Sequence, residues 1–334
     1  MRTMKKMLAG AVALTMALTM NVAVFAQAEP GKVEEGTTKT TITKKYQTTA
    51  KEDAAVTPAE ALTFTVTPVE NPDTDTISVS KVADSSEIVV DYSDLLDAEV
   101  GLYTFTVKEN AGNTQGVTYN TETYTVNAMV SWADDTHTTR KVTSEIENSS
   151  GHKIGGTDAP IINTFDYGSL AVSKQVTGNL SDTTDEFNVT VTFTSEEGKE
   201  VKNVISYTDG TAKTIAATNW SNGTATATIT LTDDETVTFT GIPAGVTYTV
   251  EEADYTTGDV NTDNYGYDDP TYTYSDETNK KIAANDADTV QITNNKGSEI
   301  DTGISTDSMP YLLIAAGVAA GAAVLVTRRR RFDD

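Results

Sequence analysis

Apolar and polar residues alternate along most of this chain. In EIVVDY (Glu87–Tyr92), TYTVNAMVSW (Thr123–Trp132), FNVTVTF (Phe187–Phe193) and TATATITL (Thr224–Leu231), every second side chain is apolar or small. That period places them on one face of a β-strand. Clusters of Asp, Asn, Gly and Thr separate the segments and supply turns. Asp233-Asp234-Glu235 is predicted to be a hairpin tip and Ala244-Gly245 a second turn. Many short strands at this spacing predict an all-β chain of β-sandwiches.

The pattern breaks at three places, and the breaks repeat. In Leu170–Val176 the two-residue period assigns Lys174 to the core face, as TITKKY (Thr41–Tyr46) assigns Lys44 beside Ile42 and Tyr46. FTVKE (Phe105–Glu109) matches YTVEE (Tyr248–Glu252), and in each an acid, Glu109 or Glu252, follows two inward apolar residues. IINTF (Ile161–Phe165) matches ITNNK (Ile292–Lys296), with Asn163 and Asn294 in register behind Ile161 and Ile292. Lys to Asn spans 119 residues in the first copy and 120 in the second, with the Glu between them each time.

Buried singly, each of these groups would be penalised. Together they form a reactive set. An apolar core disfavours the charged forms, so the lysine moves toward a neutral, nucleophilic amine and the glutamate toward a protonated acid. The amine can then attack the Asn side-chain carbonyl while Glu hydrogen-bonds that carbonyl and shuttles protons, releasing ammonia and leaving an amide. The same residues also fit a permanent buried Lys–Glu ion pair with Asn as hydrogen-bond partner.

SKQVTGN (Ser173–Asn179), GIPAGVTYTVEEADY (Gly241–Tyr255) and VQITNNK (Val290–Lys296) resemble the streptococcal pilin isopeptide-linkage domains, relatives of the collagen-adhesin B-type immunoglobulin-like modules. ITKKY (Ile42–Tyr46), GLYTFTVKE (Gly101–Glu109) and IINTF form a looser first copy. The resemblance implies two tandem Ig-like β-sandwiches, 29–166 and 167–297, with crosslinks Lys44–Asn163 and Lys174–Asn294 and helper acids Glu109 and Glu252. Asp166–Gly168 leaves almost no spacer between the two, which favours a rigid pair.

The ends read as addresses. Residues 1–28 carry Arg2, Lys5 and Lys6, an apolar stretch and Ala26-Gln27-Ala28, the pattern of a secretory signal peptide cut between Ala28 and Glu29. At the other end Tyr311–Thr327 is uncharged and would span about 25 Å as a helix, followed by Arg328–Arg331 as a cytoplasmic stop. Glu299-Ile300-Asp301-Thr302-Gly303 before this span resembles the cell-wall sorting signal of Gram-positive surface proteins, a degenerate, LPXTG-like form of Leu-Pro-x-Thr-Gly. The resemblance implies sortase cleavage between Thr302 and Gly303 within a 298–334 sorting segment. An uncut membrane anchor is the plainer alternative.

The whole chain has 24 Lys and Arg against 49 Asp and Glu and no cysteine. Without three basic residues in 1–28, and four basic and three acidic residues in 304–334, it keeps 17 basic and 46 acidic residues, a charge of −29. That excess argues against nucleic acid and anionic membranes as partners. The lack of cysteine excludes a disulfide frame and a Cys-type zinc site, so an exported protein of this composition needs another staple or a good core.

Enzymatic chemistry finds little support. His137 and His152, the only two histidines, fit no ligand pair or Ser–His–Asp arrangement. Asp259–Asp263 begins like a calcium loop but has Asn264 at the sharp-turn position and Pro270 at the closing one. Trp132 and Trp220 read as packing residues rather than a sugar platform. No cofactor or metal is implied. The sequence therefore predicts a non-enzymatic, wall-anchored extracellular structural protein, a pilin subunit or stalk, with sortase and peptidoglycan or other pilin subunits as partners. A second reading is an adhesin whose first domain binds a host matrix protein or glycan. Pilin shafts of this class usually carry an acceptor lysine in a Tyr-Pro-Lys type motif. None is present here, which leaves shaft, tip, base and unpolymerised roles open.

Overall fold

A computed structural model describes residues 38–50, 54–70, 77–81, 85–154, 156–257 and 266–297. The signal-peptide and sorting-segment expectations, with Ala28, Glu29, Thr302, Gly303 and the 311–327 span, lie outside these residues. So does the acidic loop at Asp259–Asp263.

The described chain is β-structure joined by turns, with two short 3-10 segments at Ser93–Asp97 and Ala217–Asn219. The first half contributes β1 (Lys39–Gln47), β2 (Leu62–Glu70), β3 (Ser78–Lys81), β4 (Glu87–Asp91), β5 (Gly101–Glu109), β6 (Val117–Thr118), β7 (Thr123–Trp132), β8 (Arg140–Glu147) and β9 (Gly156–Phe165). The second contributes β10 (Tyr167–Thr177), β11 (Phe187–Thr194), β12 (Ile205–Asp209), β13 (Thr211–Ile215), β14 (Thr224–Leu231), β15 (Thr236–Pro243), β16 (Thr247–Glu252), β17 (Thr271–Tyr274) and β18 (Ala287–Asn295).

In the first half the strands run in the order β6-β9-β1-β4-β3-β2-β5-β7-β8. β2 joins β3 only through Leu62–Lys81 and Thr63–Ser80, a narrow corner at which the sheet turns back over itself. Ile42 and Ile161 from one side of the corner thus share a core with Phe105, Val107 and Val126 from the other. In the second half a six-stranded sheet, β13-β12-β15-β10-β18-β17, faces a three-stranded one, β14-β11-β16. Leu170, Phe239 and Ile292 from the first meet Val191, Phe193 and Val250 from the second in one core.

The alternation explains which residues go inside. Along β10, Leu170, Val172, Lys174 and Val176 are all buried, and their odd-numbered neighbours are half-exposed. A one-residue slip would exchange the two sets.

Asp233–Glu235 does not make a hairpin, because β14 and β15 lie in different sheets. The turn carries the chain across the core. Asp234 reverses direction in a left-handed conformation, φ 61°, and bonds β10 on the way: Asp234 N–H donates to the Lys174 carbonyl at 3.1 Å, and Lys174 N–H to that of Glu235 at 3.0 Å. Turn chemistry encodes the reversal but not the sheet that receives the next strand.

Only Asp166 separates β9 from β10. Its N–H donates to the Gly116 carbonyl, and its own carbonyl accepts from Ala244 N–H, both at 2.9 Å. Gln115 reaches across as well, donating to Ala244 O at 2.7 Å and accepting from Glu196 N–H at 3.0 Å. Gly116 has φ +77°, and an added Cβ would stand 2.6 Å from the Asp166 carbonyl, so glycine is required for this closeness.

Candidate functional site

The Lys–Glu–Asn sets predicted from the repeat come together twice. β1 lies parallel to β9 with Lys44 opposite Ile161 and Tyr46 opposite Asn163. β10 lies parallel to β18 with Lys174 opposite Ile292 and Val176 opposite Asn294. Each asparagine thus sits two residues beyond its lysine's partner, a diagonal neighbour on the same face. β5 and β16 bring the acids in from the facing sheet.

In the first centre Lys44 Nζ donates to Glu109 Oε2 at 2.9 Å and Asn163 Nδ2 donates to Glu109 Oε1 at 2.6 Å. In the second Lys174 Nζ donates to Glu252 Oε2 at 2.5 Å, and Asn294 Nδ2 donates to Glu252 Oε1. One carboxylate therefore bridges amine and amide in both. The side chains of both lysines are 0 % exposed. An aromatic ring lies under each ammonium: Tyr46 with its centroid 5.6 Å from Lys44 Nζ, and Phe187 at 3.9 Å from Lys174 Nζ. Tyr255 and Tyr267 pack edge-on against Phe187, completing an apolar wall.

The glutamate contact differs from the sequence expectation. Glu was expected to hydrogen-bond the Asn carbonyl, whereas here it accepts from the Asn nitrogen. An ionised carboxylate can only accept, so it turns to the N–H₂ end of the amide. This end is the leaving group of an amide exchange.

Burial is the main influence on the lysines. It pushes the Lys44 ammonium down to about 8, against the opposing pull of Glu109. It also lowers Lys174, opposed by Glu252 and by Asp233.

The sequence did not reveal Glu60. Its carboxylate is buried and accepts from three hydroxyls, Tyr46 at 2.5 Å, Thr114 at 2.6 Å and Tyr119 at 2.7 Å. The first pins the ring beneath Lys44. Glu60 lies in an irregular stretch before β2, where no period assigns it to the core. His137 and His152 are exposed, Trp132 carries the Arg140 guanidinium on its ring at 5.2 Å, and Trp220 packs against the second core.

Residues 32–158 match the family described as Spy0128-like isopeptide containing domain, and residues 168–296 match a domain of unknown function. The chain is 26% identical over 255 residues to a pilin of Streptococcus pyogenes serotype M1, covering 72% of this chain and 71% of that protein. The crystal structure of the major pilin from Streptococcus pyogenes matches with a TM-score of 0.46 at 22% identity, over 78% of this chain and 99% of that one. The T3.2 major pilin protein of the same species gives 0.46 at 20% identity, over 78% and 98%. Residues 32–158 thus resemble the Spy0128-like isopeptide containing domain family, and the chain is similar to a streptococcal pilin over most of its length.

Proposed function

We propose that the chain is an extracellular structural subunit of pilin type, exported by its signal peptide, held on a Gram-positive wall by a sortase acting at Thr302–Gly303, and hardened by two amides that it forms itself, Lys44–Asn163 and Lys174–Asn294. Two Ig-like β-sandwiches, 29–166 and 167–297, each carry one. The observation that supports this reading best is the repeated bridge, a buried carboxylate with a lysine on one oxygen and an asparagine amide nitrogen on the other.

The geometry suits proton transfer at both ends of the reaction. Ionic Lys–Glu and neutral Lys–Glu hold the same single proton, and the reaction draws on the neutral form, which apolar surroundings bring within reach. The neutral Nζ adds to the Asn Cγ, and the carbonyl electron pair moves to Oδ1. As the Cγ–Nδ2 bond breaks, Glu gives its proton to Nδ2 and takes one from the former Nζ. Ammonia leaves, an amide remains, and Glu ends protonated as it began. No oxidant or cofactor enters.

An intact mass of residues 29–297 should fall short of the sequence mass by two ammonia units. Lys44→Ala should restore one and Lys174→Ala the other. Glu252→Ala should block the second bond, whereas Glu251→Ala, on the exposed face of β16, should leave it intact. Full sequence mass in folded wild-type protein would refute the crosslinks.

The rate should also carry a signature in pH. Losing the proton of the Lys44–Glu109 pair leaves a free amine beside a carboxylate with nothing to give the departing nitrogen. Since the Lys44 proton is lost at about 8, closure of the first bond should be level from neutral pH to that point. It should then slow about tenfold per pH unit above it. Mass spectra taken during folding of never-crosslinked chain in buffers from pH 7 to 10 would measure this. A rate that climbs through that range would assign the acid no part.

A further inference from the structure

The two centres differ at the carbonyl under attack. Asn163 Oδ1 accepts a 2.8 Å hydrogen bond from the backbone N–H of Asn120. Asn294 Oδ1 is buried and has no donor among the described residues.

The local chain explains the difference. β6 pairs with β9 through Val117 opposite Phe165 and Thr118 opposite Thr164, and the ladder stops there. The Asn120 N–H then turns to the side chain of Asn163, which satisfies a donor that must find some acceptor. Its position is fixed from three sides. Asn120 Oδ1 accepts from Glu122 N–H at 2.9 Å, its Nδ2 donates to Ile162 O at 3.4 Å, and the preceding Tyr119 hydroxyl is held by Glu60. In the second half the strand flanking β18 begins at Thr271, opposite Thr293. The residue there in the register of Asn120 is Thr271, which is paired within the β17–β18 ladder instead of standing past a ladder's end.

We propose that the backbone N–H of Asn120 is an oxyanion donor for the first crosslink, binding the negative charge that develops on Asn163 Oδ1 as Lys44 Nζ adds to Cγ. The inference rests on the crosslinking reading above. An N–H already fixed at 2.8 Å from the reacting oxygen needs no rearrangement during addition. It also binds a full negative charge more strongly than a neutral carbonyl, so it favours the transition state over the starting amide. The same bond orients the amide: with Oδ1 on Asn120, Nδ2 must face Glu109, the group that protonates it. The second centre works through Glu252 with no such donor among the described residues.

The test replaces the peptide linkage at residue 120 of the full chain with an ester, using the hydroxy-acid analogue of asparagine. The N–H is removed, and the carbonyl of residue 119 becomes a weaker acceptor. Closure of each bond is followed by mass during folding, with digestion to separate the two linked peptides. The Lys44–Asn163 bond should close about 100-fold more slowly, while the Lys174–Asn294 bond in the same molecules keeps its rate. Asn120→Ala, which keeps the N–H but loses the two side-chain contacts that hold it in place, should slow the first bond less than the ester does. Equal first-bond rates in ester and amide chains would overturn the donor role with the crosslinks intact. Absence of both bonds from the unmodified chain would instead overturn the crosslinking reading. Should the ester chain fail to fold, seen as loss of the second bond too, the unreacted Lys44→Met chain decides. There a through-hydrogen-bond NMR coupling between Asn120 N and Asn163 Cγ is expected, and its absence would overturn the proposal.

Discussion

Glu252→Ala should lower the melting temperature of the second half by roughly 25–35 °C, the largest effect of any single substitution considered. Two losses combine. Without the acid the proposed bond should not form, and a closure of about 120 residues is worth roughly 4–5 kcal/mol in the chain-entropy model. The substitution also removes the carboxylate on which Lys174 Nζ rests, and stranding a buried charge costs about 3–5 kcal/mol. Their sum is comparable with the whole stability of an ordinary domain.

Asn294→Ala separates the two. It should abolish the proposed bond but leave Lys174 on Glu252, and so lose only the first 4–5 kcal/mol or so. The pH dependence gives a further distinction. Burial lowers Lys174 already in the presence of its acid. In Glu252→Ala the unfolded chain therefore binds more protons than the folded one, from the lowered value up to the ordinary lysine value near ~10.4. Stability should rise with pH across that window, as the ammonium that the fold rejects is neutralised. Melting curves of both variants at pH 7 and pH 9.5 would measure it. Equal stability of the two variants, with no gain at high pH, would mean that the acid does not hold a buried cation.

The second large effect is mechanical. Lys44 and Asn163 lie on adjacent parallel strands, as do Lys174 and Asn294. With both amides closed, tension between the termini runs from β1 through the first bond into the end of β9, along β10 to Lys174, and through the second bond into β18. The residues between each Lys and its Asn are bypassed. Pulled in a single-molecule instrument, the wild-type chain should show no lengthening step from either half. Asn294→Ala should release its 120 bypassed residues, adding about 400 Å of contour at ~3.4 Å per residue. A full-length step from the wild-type chain would show that force does not pass through the bonds.

Much of this arrangement was legible in the sequence. TYTVNAMVSW and TATATITL became β7 and β14 with the ends their period predicts, because a half-buried strand writes its two faces into alternate residues. Lys44, Glu109 and Asn163 were visible because each breaks that alternation and a second copy breaks it in the same order. Other features leave no such trace. Asp233–Glu235 reads as a turn, but nothing local says that β15 will join another sheet. Glu60 lies outside any strand, and its three hydroxyl donors converge from distant parts of the chain. The Asn120 contact is made by a backbone N–H, which every residue but proline possesses. Only the end of the β6–β9 ladder makes that one special.

The parallel pairing of first and last strands has a consequence for architecture. In many domains the chain termini lie close together. Here β1 and β9 point the same way, as do β10 and β18, so the polypeptide enters each half at one end and leaves at the other. Strands of nine to eleven residues advance by roughly 30–36 Å. A series of such units gains length without gaining girth, and it has a distinct top and bottom. Anything built by joining the end of one copy to the side of the next would inherit that polarity from the direction of four strands.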